Sequence, residues 1–571
     1  MVPSVNSVYH DFIWYRENVE LANALYDAPP VTMESVVERA RIILSKYSEM
    51  LWHLPEKMEL LERALVKSNK RLGCLTPAVR ARITSLKDGA VESAHQTVTL
   101  GGPTYILNKA ATAYRIAQIS SERGLALSTF FCVADYDIVQ SELTNIRVPV
   151  LGQGGTLVSI PVPEGYEHSP VSILPLPEKD WYDQIEDDIR TSYRPMIKSV
   201  EGANRLVFDE RLEHALAITR WSFVNSKTLG EWAERIIGRL FNIEGNLNVP
   251  LLVASDEPIR DLLVEGLEYQ LARENRERFL LSFNEVTDKI LEAGYNPGIG
   301  HRNSDYVPFF YECQNDDCNR ARIELHYVDR GANILLTGKC PSCAEDVQIE
   351  TVSETPYLGE LAQYLSLRVD SRQLAINSII PTVVHVGGPG ETAYYAQVIP
   401  SARSISIPFP MFVKYPRAYF NTPWNEQLAK SLEEKGESVL QRGELFNLMG
   451  KISKLRRRER YDEMNEVLAR LGQLIQETHS SMNKRHEEVE SKIAQSSGAE
   501  GESLINLKAE IERYLSWAFG QYTVGKLGQE SSWSWIEWTL NSGFADLFGA
   551  YERAYVGPMN NGATIFINFQ I

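Results

Sequence analysis

The stretch Ile379-Ile380-Pro381-Thr382-Val383-Val384-His385-Val386-Gly387-Gly388-Pro389-Gly390-Glu391-Thr392-Ala393-Tyr394-Tyr395-Ala396-Gln397 decides the fold class. Its apolar beginning reads as a buried strand, the glycines as a sharp turn, and the remainder as a helix. Three glycines in four positions cost backbone entropy and suit a site where the chain turns tightly or lets a ligand approach. Glu391 falls in the first helical turn, where a carboxylate suits the positive end of the helix dipole. An earlier segment repeats the pattern: Gly101-Gly102-Pro103 follows a β-prone run and opens a helix over 104–123, which carries Lys109 and is stopped by Gly124. Alone, that turn is neither a Walker loop nor a dinucleotide fingerprint. Together, the two strand-glycine-helix units predict an α/β fold with a parallel sheet, the two turns facing a crevice at the carboxyl ends of the strands.

Around this pair the chain divides by texture. Residues 1–90 carry helical periodicity at Met33, Val36, Val37, Ala40, Ile43 and Leu44. Residues 91–177 hold the first half of the sheet, with β-prone runs at 96–100 and 126–134 and a hairpin of 146–151 with 156–162 across Gly152-Gln153-Gly154-Gly155. A helical connecting insertion is expected over 178–304, with amphipathic segments at 229–241 and 258–271, the latter capped by Asp256. Residues 353–423 return to the sheet. Beyond them, Leu468, Ile475, Met482 and Val489 fall seven apart, with Met464, Leu471 and Thr478 in the offset positions. That pattern predicts a coiled coil over 424–515, folded back at Ser496-Ser497-Gly498 as an antiparallel hairpin. Residues 516–571, with Trp533, Trp535 and Trp538, read as a cap without readable chemistry.

Within 305–352, Cys313-x4-Cys318 and Cys340-x2-Cys343 supply two thiolate pairs on knuckle-like turns. Four sulfurs close a tetrahedral Zn2+ and leave no open position, so a structural zinc ribbon is expected. Cys74 and Cys132 stand alone and read as small buried residues. Asp135-Tyr136-Asp137 follows a strand and has two readings: paired acids that hold Mg2+ or an amine, or a solvated loop with a capping aspartate.

The 571 residues include 58 Lys+Arg against 75 Asp+Glu, a net charge of −17. Such a chain has no global field for phosphate backbones or anionic lipid. Asp316 and Asp317 put acid in the first knuckle, where a nucleic-acid reader wants base. No apolar run approaches the ~20 residues of a membrane span, and the opening Met1 to Asn6 lacks a leader's basic and apolar blocks. The expectation is a cytoplasmic protein acting on small molecules, with no nucleic acid or membrane partner.

These motifs resemble the BshC family, the cysteine-adding enzymes of bacillithiol biosynthesis. The resemblance rests on Gly387-Gly388-Pro389-Gly390-Glu391-x-Ala393-Tyr394-Tyr395-Ala396-Gln397, on Gly102-Pro103-x-Tyr105 with Lys109, on Gln96, and on the Gly294-Tyr295-x-Pro297 turn. It implies a Rossmann-like, nucleotidyl-transferase-type core, a helical connecting insertion, and a coiled coil that makes a homodimer. The implied reaction is ATP-dependent joining of cysteine to the amino group of glucosaminyl malate. Gly101, Gly102, Pro103, Gly387, Gly388, Gly390, Glu391, Tyr394 and Gln397 would then hold the nucleotide or carboxylate groups. Lys109, Gln96, Asp135 and Asp137 would serve catalysis, Lys109 by neutralising charge and the aspartates by orienting the amine or Mg2+. Tyr136 replaces the histidine of the family's pattern, and a zinc ribbon is foreign to typical members. A non-catalytic nucleotide or metabolite binder, assembling through coiled coil and ribbon, is the competing expectation.

Overall fold

The computed structural model describes residues 2–47, 55–150, 154–200, 202, 204–520 and 528–569. Its centre is a sheet of five parallel strands: β1 (Ala90–Gln96), β2 (Ser128–Ala134), β3 (Leu251–Val253), β4 (Thr382–Gly387) and β5 (Met411–Lys414). β1 pairs with β2 from Ala90 opposite Ser128 to Gln96 opposite Ala134, and with β4 from Ala90 opposite Thr382 to Ser93 opposite Val386. β3 flanks β2, and β5 flanks β4. The spatial order is thus 3-2-1-4-5, the doubly wound arrangement. Strand order reverses between β1 and β4, so the connections part there and leave a crevice at the carboxyl ends. Every residue of β2 and β4 is buried, as a parallel sheet covered by helices on both faces requires. Two helices matter for the site: α1 (Tyr105–Glu122) after β1 and α2 (Pro389–Ser404) after β4.

The expected α/β architecture is present, with corrections. β1 ends at Gln96 rather than beginning there, and Thr99–Gly101 is a short 3-10 turn. The 178–304 segment is not only helical: it contributes β3, whose three apolar residues are too few to show a period and become a strand by pairing with Phe131, Cys132 and Val133. The Asp256 side chain does not cap its helix; it pairs instead with Arg71 Nη2 at 2.8 Å. The hairpin forms as Asn145–Val148 against Thr156–Ser159, while Gly152 and Gln153 lie outside the described residues.

The cysteine module consists of two three-stranded antiparallel sheets, with Asn333–Lys339 central in one and Phe309–Glu312 in the other. Helices Tyr461–Ile493 and Gly498–Phe519 run antiparallel, tied by His486 to Glu512 and Lys508 to Glu490, each at 2.8 Å. Leu471, Ile475, Met482 and Val489 are buried against Ile511, Tyr514 and Leu515 of the return arm, so this seam is filled within the chain. No described helix is long and apolar enough to cross a membrane.

The C-terminal cap is welded to the core. Its strand Thr564–Asn568 pairs with Arg417–Asn421, and the Trp535 indole donates to Leu100 O at 2.6 Å. Glu537 accepts from the Trp424 indole at 3.0 Å and is hydrogen-bonded with Tyr193. Burial pushes this carboxyl up from about 4.5 to about 8. A raised acid binds its proton more tightly when folded, so its contribution to stability is lost as pH rises from about 4.5 through 8. Glu537→Gln keeps the Trp424 bond and removes that titration. Between pH 5 and pH 8 the wild-type unfolding free energy should fall by at least about 2 kcal/mol more than the variant's. Urea melts at the two pH values measure this, and equal falls would contradict it.

Candidate functional site

A cavity of about 460 Å³ opens at the carboxyl ends of β1, β2 and β4, where the strand order reverses. Gln96, Tyr136 and Asp137 reach it from β1 and β2, Gly388, Gly390, Glu391 and Tyr394 from the start of α2, and Lys109 and Tyr105 from α1. Arg372, Tyr415, Arg417 and Glu530 complete its polar wall. The volume suits a small ligand or part of a nucleotide. Gly390 has no atom within 4 Å of where a Cβ would stand, so the N-terminus of α2 is open at this point. The first N–H groups of a helix lack partners within it and favour anions.

A chain of ionisable groups runs from the cavity wall into the sheet. Lys109 Nζ donates to Glu391 Oε2 at 2.6 Å and to Ala94 O at 2.9 Å. Glu391 also accepts from the Gly388 N–H at 2.7 Å, and its other oxygen faces His385 Nε2 at 3.2 Å. His385 Nδ1 faces Glu92 at 3.2 Å, and Glu92 accepts from Arg372 at 2.6 Å. Arg372 further donates to Tyr395 at 3.0 Å. Burial alone would push both carboxyls up. For Glu92, Arg372 and His385 outweigh it and hold the group at about 2, and Lys109 and His385 likewise hold Glu391 far below the usual range.

The candidates from the sequence divide. Gln96 Nε2 donates to Asp137 Oδ2 at 2.5 Å, and both line the cavity. Asp135 does not: it is fully buried under the β3 loop, where its carboxylate accepts from the Ser255 N–H at 3.0 Å and from the Ser255 hydroxyl. Burial pushes it up to about 7. Gly101, Gly102 and Pro103 are also absent from the lining. Gly101 (φ +74°) packs on Ile236, Gly102 (φ +98°) on Ile106, and the Thr104 N–H donates to Trp533 O at 2.9 Å. The C-terminal cap therefore packs on the first helix start. Gly387 is pressed on Phe412, and a Cβ on Gly388 would stand 3.1 Å from the Tyr415 ring. Gln397 clamps a loop, accepting from the Ile299 N–H at 2.8 Å and donating to Ile299 O at 2.8 Å and Thr287 Oγ1 at 2.7 Å.

Arg372, Arg417, Tyr415 and Glu530 belong to the cavity but carry no motif. Glu530 accepts from Asn108 at 2.9 Å, Tyr551 at 2.9 Å and the Ala418 N–H at 2.7 Å, and burial pushes it up to about 7. The C-terminal cap, read as free of chemistry, thus supplies part of the wall.

Away from the cavity, the Sγ atoms of Cys313, Cys318, Cys340 and Cys343 all lie within 4.8 Å of one another. Cys318 and Cys340 are 3.7 Å apart, and Cys313 and Cys343 4.0 Å. A tetrahedral ion with bonds of ~2.3 Å to sulfur spaces its ligands about 3.8 Å apart, so the set fits one zinc.

A parallel doubly wound sheet with a ligand-sized cavity at its reversal defines a Rossmann-like domain. Residues 183–418 match the family model described as "Bacillithiol biosynthesis BshC, N-terminal Rossmann-like domain". Three relatives bear the name "Putative cysteine ligase BshC". The Bacillus velezensis protein is 22% identical over 56% of this chain, the Koribacter versatilis protein 23% over 62%, and the Exiguobacterium sibiricum protein 21% over 61%. The matches span 54, 59 and 60% of those proteins. The chain is thus similar to BshC-family proteins over these stretches, at low identity.

Gly101 and Gly390 should respond differently to substitution. Gly101→Ala puts a Cβ 2.7 Å from Ile236 at positive φ and should cost at least about 2 kcal/mol of unfolding free energy. Gly390→Ala meets nothing and should stay within about 0.5 kcal/mol of wild type. Denaturant melts that fail to separate the two would contradict these assignments.

Proposed function

We propose that the cavity is the active site of an ATP-dependent carbon–nitrogen ligase that joins an amino acid, cysteine, to the amino group of a sugar-malate acceptor. The observation that carries this reading is the convergence of Arg372, Arg417, Asp137 and Glu530 beside the open helix start at Gly390, in one cavity at the strand reversal. Cations and a helix N-terminus suit carboxylate and phosphate, and Asp137 suits an amine or Mg2+. ATP would transfer a phosphoryl or adenylyl group to the amino-acid carboxylate, as its P–O bond to the departing ADP or pyrophosphate breaks. The acceptor nitrogen then forms the C–N bond as phosphate or AMP leaves with the C–O bond electrons. The nitrogen's proton passes to a cavity carboxylate, and Glu530, raised to about 7, suits that exchange. Zn2+ in the cysteine module would serve folding. A homodimer built on the helical hairpin would use its outer faces, because its seam is filled.

The competing reading, a binder without catalysis, draws support from Lys109 and Glu391, whose charges are spent on one another. Calorimetric titration with Mg·ATP, cysteine and glucosaminyl malate separates the two, followed by mass spectrometry for the amide. Saturable binding with product is expected, and Gly390→Val should weaken ATP binding about tenfold or more without lowering the melting temperature. Binding without product would favour the binder, and no binding of any compound would refute the assignment.

A further inference from the structure

The cysteine module reaches the cavity through Arg322, four residues after Cys318. The knuckle fixes its backbone: the Cys313 N–H donates to Ala321 O at 2.9 Å, the Ala321 N–H to Cys318 O at 3.0 Å, and Arg322 pairs with Glu312 in the strand register. The side chain is only 8% exposed and lies with its guanidinium 4.1 Å from the centre of the Phe310 ring. From there Nη1 donates to Tyr136 O at 2.9 Å and to Asp137 Oδ1 at 3.3 Å. The other Asp137 oxygen is the one held by Gln96. The carboxylate at the cavity wall is therefore gripped from two sides, by the end of β1 and by the cysteine module.

The grip depends on a small element. Strand Arg322–Glu324 has three residues and is an edge strand of its sheet, a length with little independent stability. The cluster of four sulfurs joins its knuckle to the Cys340–Cys343 turn, beside the packing of Ile323 on Gly338, and a bound metal makes that junction rigid. A rigid planar guanidinium on that strand then fixes where the Asp137 carboxylate stands.

We propose that Arg322 is a positioning residue of the cavity, which holds Asp137 in place, and that metal in the four-cysteine cluster holds Arg322. This rests on the reading of the cavity as the ligand site. Loss of the metal would loosen the Tyr136–Asp137 turn and weaken binding without removing any group that touches the ligand from the chain.

The test compares zinc-loaded protein, chelator-stripped protein, Arg322→Met and Arg322→Lys. Hydrogen exchange is followed at the amides of Val171 and Ser172, which donate to Asp137 O and Asp135 O. Calorimetry with L-cysteine gives affinity, and metal analysis gives zinc content. Stripping and Arg322→Met should each speed exchange at both amides about tenfold and weaken cysteine about fivefold. Arg322→Met should keep one zinc, Arg322→Lys should recover part of both effects, and exchange in helix Tyr461–Ile493 should not change. Unchanged exchange at Val171 and Ser172 after stripping, or in Arg322→Met, would overturn the proposal. Wild-type protein that shows the exchange pattern but binds no cysteine would sustain the coupling and refute the ligase reading.

Discussion

The structure depends on a buried alternation of charge at the reversal of its sheet. Glu92 on β1 and His385 on β4 stand opposite one another in the strand register, which makes their contact a consequence of sheet pairing. Burying an isolated ion costs several kcal/mol, and the cost is offset here because Lys109 pairs with Glu391 and Arg372 with Glu92, with His385 between the two carboxylates. Both ring nitrogens of His385 face carboxylates, Nδ1 toward Glu92 and Nε2 toward Glu391. Removing Glu391 would take from Lys109 its anionic partner. The chain ties α1, β1, β4, α2 and the Arg372–Asn377 helix together at the place where the doubly wound fold parts to make room for a ligand.

This arrangement separates framework from working surface. Lys109 and Glu391 line the cavity, but their strongest interactions are with each other. Asp137, Arg417 and the helix start at Gly390 line the space a ligand would enter. Glu530 connects the wall to the C-terminal cap through Asn108, Ala418 and Tyr551, so that segment is part of the site's construction.

The sequence made part of this legible, for physical reasons. The second glycine turn was readable because the need for close packing at Gly387 and for an open helix start at Gly390 is local. The first turn has the same local form, but its meaning is set by Trp533 and Trp535, more than 400 residues away, which no local pattern announces. β3 escaped notice because three apolar residues carry no period. Arg372 and Glu530 are single residues in stretches without a motif, brought to the cavity by tertiary packing alone. Asp135 and Asp137, on either side of Tyr136, could not be told apart by spacing, although the fold sends one under the β3 loop and the other to the cavity.

The central claim is that ligand binds at the sheet reversal, against the start of α2. The most direct measurement is a crystal structure of the zinc-loaded protein soaked with Mg·ATP and cysteine. The account predicts density for a phosphate or carboxylate within hydrogen-bond reach of the Gly390 N–H, with Asp137 and Arg417 at its flanks. Well-ordered ligand bound elsewhere, with this cavity holding only water, would contradict it.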